Sequence, residues 1–172
     1  GVYAYPAQVL FCVKAFTGLD DLGGRRIRTS SVAQSELVAA LGGVPVSIPF
    51  ADIMSSLRDD VVDCAITGTL SGYEIGLPSV TSYVHAMALS WGVSIFAVNS
   101  PYWEGLPVEV RQTVLSGVSR LEERIWSQTE ADTQRGLACN AGMSSCPDET
   151  ENAMTIVPTS PEDETRRRQL LS

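Results

Sequence analysis

The sequence predicts an α/β fold, and three observations carry that expectation. Short apolar segments of strand length alternate with short amphipathic helical segments through the first part of the chain. A long apolar run from Met87 to Val98 follows, and a helix-periodic segment then opens at Pro107. The order β-α-β-α-β describes a lobe with largely parallel strands.

The elements follow in order. Asp20-Asp21-Leu22-Gly23-Gly24 is a polar turn, and Arg25 to Thr29 is a short strand. Ser31 opens a helix through a capping box with Gln34, and Gly42-Gly43 closes it. Ala33, Leu37, Ala40 and Leu41 share one face, which is expected to pack on the sheet. Val44 to Pro49 is a strand whose prolines suit an edge or an end. Ile53, Met54 and Leu57 stripe the next helix, and Val61 to Ile66 is a buried strand. Met87 to Val98 is a long apolar strand broken at Asn99-Ser100-Pro101. Pro107 suits the first position of a long helix. Val110, Val114, Val118, Leu121 and Ile125 are spaced by four, four, three and four, one helical stripe running to about Arg135, with Gly136 as its end. Met154 to Val157 reads as a strand and Glu162 to Leu171 as a short helix.

With 172 residues, 44% of them hydrophobic and 19% charged, the chain has a globular composition. A chain of this length buries roughly 70% of its unfolded surface without needing a metal or a staple. Twelve basic residues against twenty acidic ones leave a net charge of −8. That balance argues against sequence-independent nucleic-acid binding and against docking on anionic membranes. Eleven of the twelve basic residues are arginines, the side chain that grips carboxylates bidentately. No run reaches the ~18 apolar residues of a membrane span. The N-terminus has neither a basic region nor an apolar leader core, so the chain is expected to be cytosolic or to begin after a leader. At the other end it stops at Ser172 without a terminating turn, as if cut.

The cysteines favour the second option. Cys139 and Cys146 enclose six small, polar residues. Zinc would need two further ligands, and the single histidine, His85, is more than fifty positions away. A local disulfide is the better reading, with a loop-closure contribution on the order of 2.5 kcal/mol, and it implies an oxidising compartment. Cys12 and Cys64 lie in apolar strands and read as buried thiols.

No nucleophile elbow, phosphate loop or dinucleotide fingerprint is present, and the histidine, serines and cysteines form no nucleophile–base pair at a known spacing. Asp52, Asp59, Asp60 and Asp63 are explained by turns and a helix start, and Arg166-Arg167-Arg168 by a solvated face balanced by Glu162, Asp163 and Glu164. His85 reads as structural. One constellation suggests a site. Arg28 ends a strand just before the helix opened by Ser31, so a guanidinium fork and the positive end of a helix face the same point. Phe50 and Thr67 end the next two strands and would converge on the same rim. On this reading Arg28 is a solvated cleft arginine whose removal leaves the fold intact, with Arg25 and Arg26 as neutral controls.

The run LDDLGGRRIRTSS…LVAALGGVPVSIPFADIMSSLRDDVVDCAITGT resembles the solute receptors of TRAP transporters. The matching pieces are Asp21-Leu22-Gly23-Gly24, Arg26-Ile27-Arg28, Ala40-Leu41-Gly42-Gly43, Pro49-Phe50 and Val62-Asp63-Cys64. Later, LSWGVSIFAVNSPYWEGLPVEVRQ and ACNAGMSSC fit the same family. The resemblance implies a periplasmic-binding-protein type II-like lobe, with a mixed sheet flanked by helices and a long helix spanning two lobes. It implies an incomplete chain, the middle and later part of a hinge-closing receptor.

The divisions it implies are an inter-lobe segment at 1–19, the ligand-binding lobe at 20–86 and a strand returning to the other lobe at 87–107. A spanning helix at 108–136 and a disulfide loop with the C-terminal strand and helix at 137–172 complete them. By the same resemblance Arg28 pairs with a ligand carboxylate, Ser31, Phe50 and Thr67 line the cleft, and Trp91 stacks on the ligand. Many members carry a second cleft arginine where this chain has Gln8, and a glycine where it has Cys64.

The function expected is that of a periplasmic, non-catalytic subunit, without cofactor or metal. It would capture a small organic acid and deliver it to TRAP membrane permease subunits, with no nucleic-acid partner and no membrane insertion of its own. The alternatives are a ligand-sensing domain of a signalling receptor and, third, a small α/β enzyme.

Overall fold

The run Val9-Leu10-Phe11-Cys12 is apolar at every position, the pattern of a strand covered on both faces. In the computed structural model, which describes residues 1–148 and 152–170, it ends the first strand, β1 (Val2–Cys12), and all four side chains are fully buried. Leu10 and Cys12 enter one core with Leu22, Ile27 and Ile66; Val9 and Phe11 enter a second with Ile53, Val62 and Leu77. Successive residues therefore feed opposite faces, as strand geometry requires.

β2 (Arg26–Thr29) lies parallel to both β3 (Val44–Ser47) and β4 (Cys64–Gly68). The crossovers are α1 (Val32–Ala40) and α2 (Ile53–Arg58). This is the parallel unit expected from the sequence. β1 runs antiparallel to β4, to β5 (Tyr83–His85) and to β6 (Ser90–Ile95), while β7 (Thr155–Val157) is parallel to β5. The order is β3-β2-β4-β1-β5-β7, with β6 also on β1, so the sheet is mixed.

Several expectations shift in detail. The strand expected from Met87 to Val98 forms a ladder only over Ser90–Ile95. Met87 and Leu89 are instead core residues of a tight connection, in which the Met87 N–H donates to His85 Nδ1 at 2.9 Å and the Leu89 N–H to the Gln8 carbonyl at 2.9 Å. On α1 the buried positions are Gln34 and Val38, continued by Leu41 beyond the helix, while Ala33 and Ala40 are exposed. Gly42, at φ 79°, takes the left-handed conformation that ends this helix. The C-terminal helix α6 spans Pro161–Leu170; Leu171 lies outside the described residues.

After α3 (Thr69–Glu74) and α4 (Ser100–Glu104), α5 covers Val108–Asn140 without a break, with Pro107 as its N-cap. Its 33 residues run about 50 Å. Gly136 does not end it. A Cβ there would drive into the backbone of Thr69 and Leu70, so glycine permits the crossing of α5 over α3. The expected apolar stripe is poorly buried: Val110, Val114 and Leu121 are 43%, 43% and 44% exposed. The face that meets β1 is a polar one. Glu122 accepts from the Val2 N–H, Trp126 Nε1 donates to the Val2 carbonyl, Thr129 to the Ala4 carbonyl, and Thr133 accepts from the Ala7 N–H.

Cys139 and Cys146 form a disulfide, and so do Cys12 and Cys64, which were expected to be thiols. The register explains the second bridge, since Cys12 and Cys64 are direct partners across the antiparallel β1–β4 pair. Closing a loop over 52 positions constrains the unfolded chain by about 4 kcal/mol.

Asp163 was read as part of a solvated face, yet it is only 4% exposed. Its carboxylate accepts from the N–H groups of Leu19 (2.7 Å) and Ser160 (3.1 Å) and from His85 Nε2 (3.2 Å). This one side chain ties α6 to the turn Leu19–Leu22 and to β5. His85, fully buried and stacked on Phe16, accepts at Nδ1 and is therefore neutral there.

Two outcomes follow from this packing. Burial pushes the His85 imidazole below its ordinary value against the pull of Asp163. Unfolded His85 takes up a proton near pH 6.5, but folded His85 does so only at lower pH, so the unfolded state binds more protons in between. Stability should fall as pH drops below about 6.5. Because the chain has one histidine, His85→Gln should flatten the urea midpoint between pH 7 and 5; an unchanged slope would contradict the assignment. Gly136→Ala should cost about 2 kcal/mol or more in urea denaturation, through overpacking against α3. Gly117→Ala, with open space at its Cβ, should be neutral or stabilising.

Candidate functional site

Arg28 sits at the end of β2, opposite Val46 of β3 and Ala65 of β4. Its side chain crosses the ends of these strands: Nε donates to the Ile48 carbonyl at 2.9 Å and Nη1 to the Ile66 carbonyl at 2.8 Å. Arg28 is 3% exposed, so it is not the solvated residue expected from its position. Nη2 meets no acceptor, and no acidic side chain pairs with the guanidinium, among the described residues. Burial alone pushes its pKa below the ordinary value; an arginine starts high enough to remain charged at neutral pH.

The neighbouring arginines have structural roles, so they are controls for ligand affinity but not for stability. Arg25 donates to the carbonyls of Asp21, Lys14 and Ala15 and lies 5.8 Å over the Phe16 ring. Arg26 forks onto Asp63 at 2.8 and 3.1 Å and reaches Asp60 at 3.0 Å. That contact holds the Asp63 carboxyl below its ordinary value.

Arg28, Phe50 and Thr67 line one cavity of about 390 Å³, together with Tyr5, Gln8, Ser30, Gly68 and Ser71. Thr67 is buried in β4, whereas Phe50, opening a one-turn helix after β3, is 47% exposed at the rim. Ser31 and Trp91 are not in it. They line an adjoining cavity of about 470 Å³ between α1 and β6, which shares Gln8 and Ser30 with the first. The structure therefore divides the five expected residues between two adjoining spaces, each within the size range of small-molecule pockets.

The Ser31 hydroxyl caps α1 by accepting from the Gln34 N–H at 3.2 Å. The capping box is displaced by one residue: the Gln34 side chain turns back to Ser30, accepting from its N–H at 2.8 Å and its hydroxyl at 3.1 Å. Tyr5, Ser30, Gln34 and Ser71 escaped the sequence reading as cavity residues. Gln8 entered it only as the position where the resemblance puts a second cleft arginine. For the rest, strand register decides, and periodicity does not report it.

A cavity at the strand ends of an α/β lobe, with a buried cation in its lining, is an arrangement that suits a solute-binding protein. The chain belongs to family 7 of the bacterial extracellular solute-binding proteins, the DctP family, whose model matches residues 11–169. Among solved structures it is similar to a Bordetella pertussis extracytoplasmic solute receptor binding pyroglutamic acid, with TM-score 0.86 and 24% identity over 98% of this chain and 53% of that one. It is similar to a TRAP periplasmic solute-binding protein of Desulfovibrio salexigens with bound orotic acid, with TM-score 0.83, 17% identity and 99% and 52% coverage. It is also similar to the periplasmic ectoine-binding protein of the Halomonas elongata TeaABC TRAP transporter, with TM-score 0.79, 18% identity and 98% and 55% coverage. At these identities the likeness carries the fold. The chain spans about half the length of these structures. No curated protein is significantly similar to it. Among the described residues no helix is long and apolar enough to cross a membrane.

Arg28→Ala should destabilise the protein rather than leave it untouched, because the Ile48 and Ile66 carbonyls lose a charged donor. The expected loss is about 2 kcal/mol in equilibrium urea unfolding. A midpoint equal to wild type would mean that neither hydrogen bond matters to the fold.

Proposed function

We propose that this chain is the ligand-gripping part of a periplasmic receptor that captures a small organic acid for a TRAP permease. The observation that carries the reading is Arg28: a buried guanidinium at the floor of a cavity, with no acidic partner among the described residues. Two carbonyls hold this cation but leave it without a counter-charge, and a ligand carboxylate is the natural one. The relatives found with pyroglutamic acid, orotic acid and, in Pseudomonas aeruginosa, L-malate give this reading independent support. Two disulfides accord with an extracytoplasmic setting.

In this proposal the segment 20–86 holds the ligand together with Ser31, Phe50 and Thr67, while Trp91, on the strand returning at 87–107, stacks on it. Residues 1–19 pass between lobes, the helix expected at 108–136 leans on both, and 137–172 forms the disulfide loop and terminal elements. The ligand draws the lobes together by a hinge, and the closed form is what the permease meets. Catalysis has no part in it.

Isothermal titration of the full-length receptor with a carboxylate panel tests the reading. Arg28→Lys, which loses the planar fork but keeps the charge, should weaken the best ligand about ten-fold or more. Arg25→Lys should leave affinity unchanged. Equal affinities for Arg28→Lys and wild type would remove Arg28 from the site.

A further inference from the structure

Gln8 is the one residue of β1 paired on both sides at the cleft, with Gly68 of β4 on one edge and Ser90 of β6 on the other, and it lines both cavities. The orientation of its amide is dictated from outside. The Ser30 backbone N–H can only donate, so the Gln34 atom that receives it is the oxygen. Gln34 is 4% exposed, and its remaining polar atom, Nε2, donates to Ser90 Oγ at 3.0 Å and to Gln8. The Gln8 atom facing Gln34 is therefore its oxygen, Oε1, which Ser90 also approaches. Nε2 of Gln8 is left with two N–H groups, no acceptor among the described residues, and a position beside Gly92, where a Cβ would come within 2.9 Å of it. Among the described residues Arg28 is the single charged side chain lining either cavity.

We propose that Gln8, oriented by Gln34, is the specificity residue of this cleft, selecting a monocarboxylate with a neutral hydrogen-bond acceptor over the matching dicarboxylate. The proposal rests on the reading of Arg28 as the carboxylate anchor and adds the chemistry of the ligand's other end. A second carboxylate would be desolvated against a neutral amide, with the guanidinium of Arg28 already engaged by the first. A ketone, lactam or amide carbonyl accepts from Gln8 Nε2 without that penalty. A ligand donor finds no free acceptor there, because Oε1 is already engaged. Gln34 is a positioning residue, acting only through the direction in which Gln8 points.

Three probes of nearly equal shape separate these terms: levulinate, which has a ketone; succinate, which has a second carboxylate; and pentanoate, which has neither. Titrated into the full-length receptor alongside their one-carbon-longer homologues, levulinate should bind about five-fold tighter than pentanoate. It should bind about ten-fold or more tighter than succinate. Gln8→Arg should reverse the levulinate–succinate order.

Gln34→Glu keeps the acceptors for Ser30 but removes the donor to Gln8, so the Gln8 amide turns over and presents its oxygen. The levulinate–pentanoate ratio should then fall to about one, a change that loss of packing alone would not produce. Far-ultraviolet circular dichroism and urea midpoints verify that each variant folds. Succinate binding as tightly as levulinate in the wild type, a ratio that survives Gln34→Glu, or binding by no probe in either series would overturn the proposal. Arg28→Lys should weaken all three probes alike. If it weakens none, the carboxylate anchor is wrong; if it weakens all while the wild type shows no preference, only the role of Gln8 is wrong.

Discussion

A strand paired along one edge leaves peptide groups on its other edge without partners, and a buried peptide group without a partner is costly. β1 meets this constraint over Val2 to Ala7, where β6 takes one edge and β4 begins only at Gln8. Helix α5 answers it with side chains. Glu122, Trp126, Thr129 and Thr133 recur by four, three and four, one face of the helix, and bond to the Val2, Ala4 and Ala7 backbone. This fixes the course of α5 along β1. Farther on, the helix crosses α3, where Gly136 gives the room and Asn140 Nδ2 bonds to the Thr69 carbonyl at 2.8 Å. Where β1 passes from one pairing regime to the other stands Gln8, and the cleft forms there.

β1 and β4 each contribute side chains to the cores on both faces of the sheet, and the Cys12–Cys64 bridge joins these strands at full burial. On the same lobe, three arginines within four positions are sorted by what faces them. Arg25 closes a turn, Arg26 neutralises Asp63 and Asp60, and Arg28 is left with two carbonyls and no acid. Composition treats the three as equal. The difference arises because β2 aims Arg26 at the loop after α2 and Arg28 at the cavity.

The sequence made the local elements legible wherever a local rule governed them. Ser31 as a cap, Gly42 as a stop and Pro107 as a start follow from residues within a turn or two of one another, and the parallel β2–β3–β4 unit from the alternation of the elements they bound. It misled where distant partners decide. Gly136 looked like a helix end because the approach of α3, about seventy positions earlier, has no local trace. Asp163 looked solvated beside three arginines, but its partners are Leu19, His85 and Ser160. Cys12 and Cys64 looked like thiols because a register is invisible in one sequence. Around the cavities, strand ends pointed to Arg28, Phe50 and Thr67 and the family resemblance to Gln8, while Gln34 emerges only from the meeting of β1, β6 and α1.

In the proposed site, the junction from β2 to α1 carries most of the chemistry in a few residues. Arg28 supplies the charge, and its side chain is immobilised before any ligand arrives because Nε and Nη1 are held by carbonyls. Two positions later, the Ser30 N–H sets the polarity of Gln34, and through it the face that Gln8 turns outward. Both features are rigid for the same reason: side-chain polar atoms are bonded to backbone that the sheet and the helix cap already fix. A preorganised cation and a preoriented amide lose little rotamer freedom on binding, so more of each contact remains as affinity and selectivity. On the proposed reading, the cleft's preference is a property of backbone geometry relayed outward by three side chains.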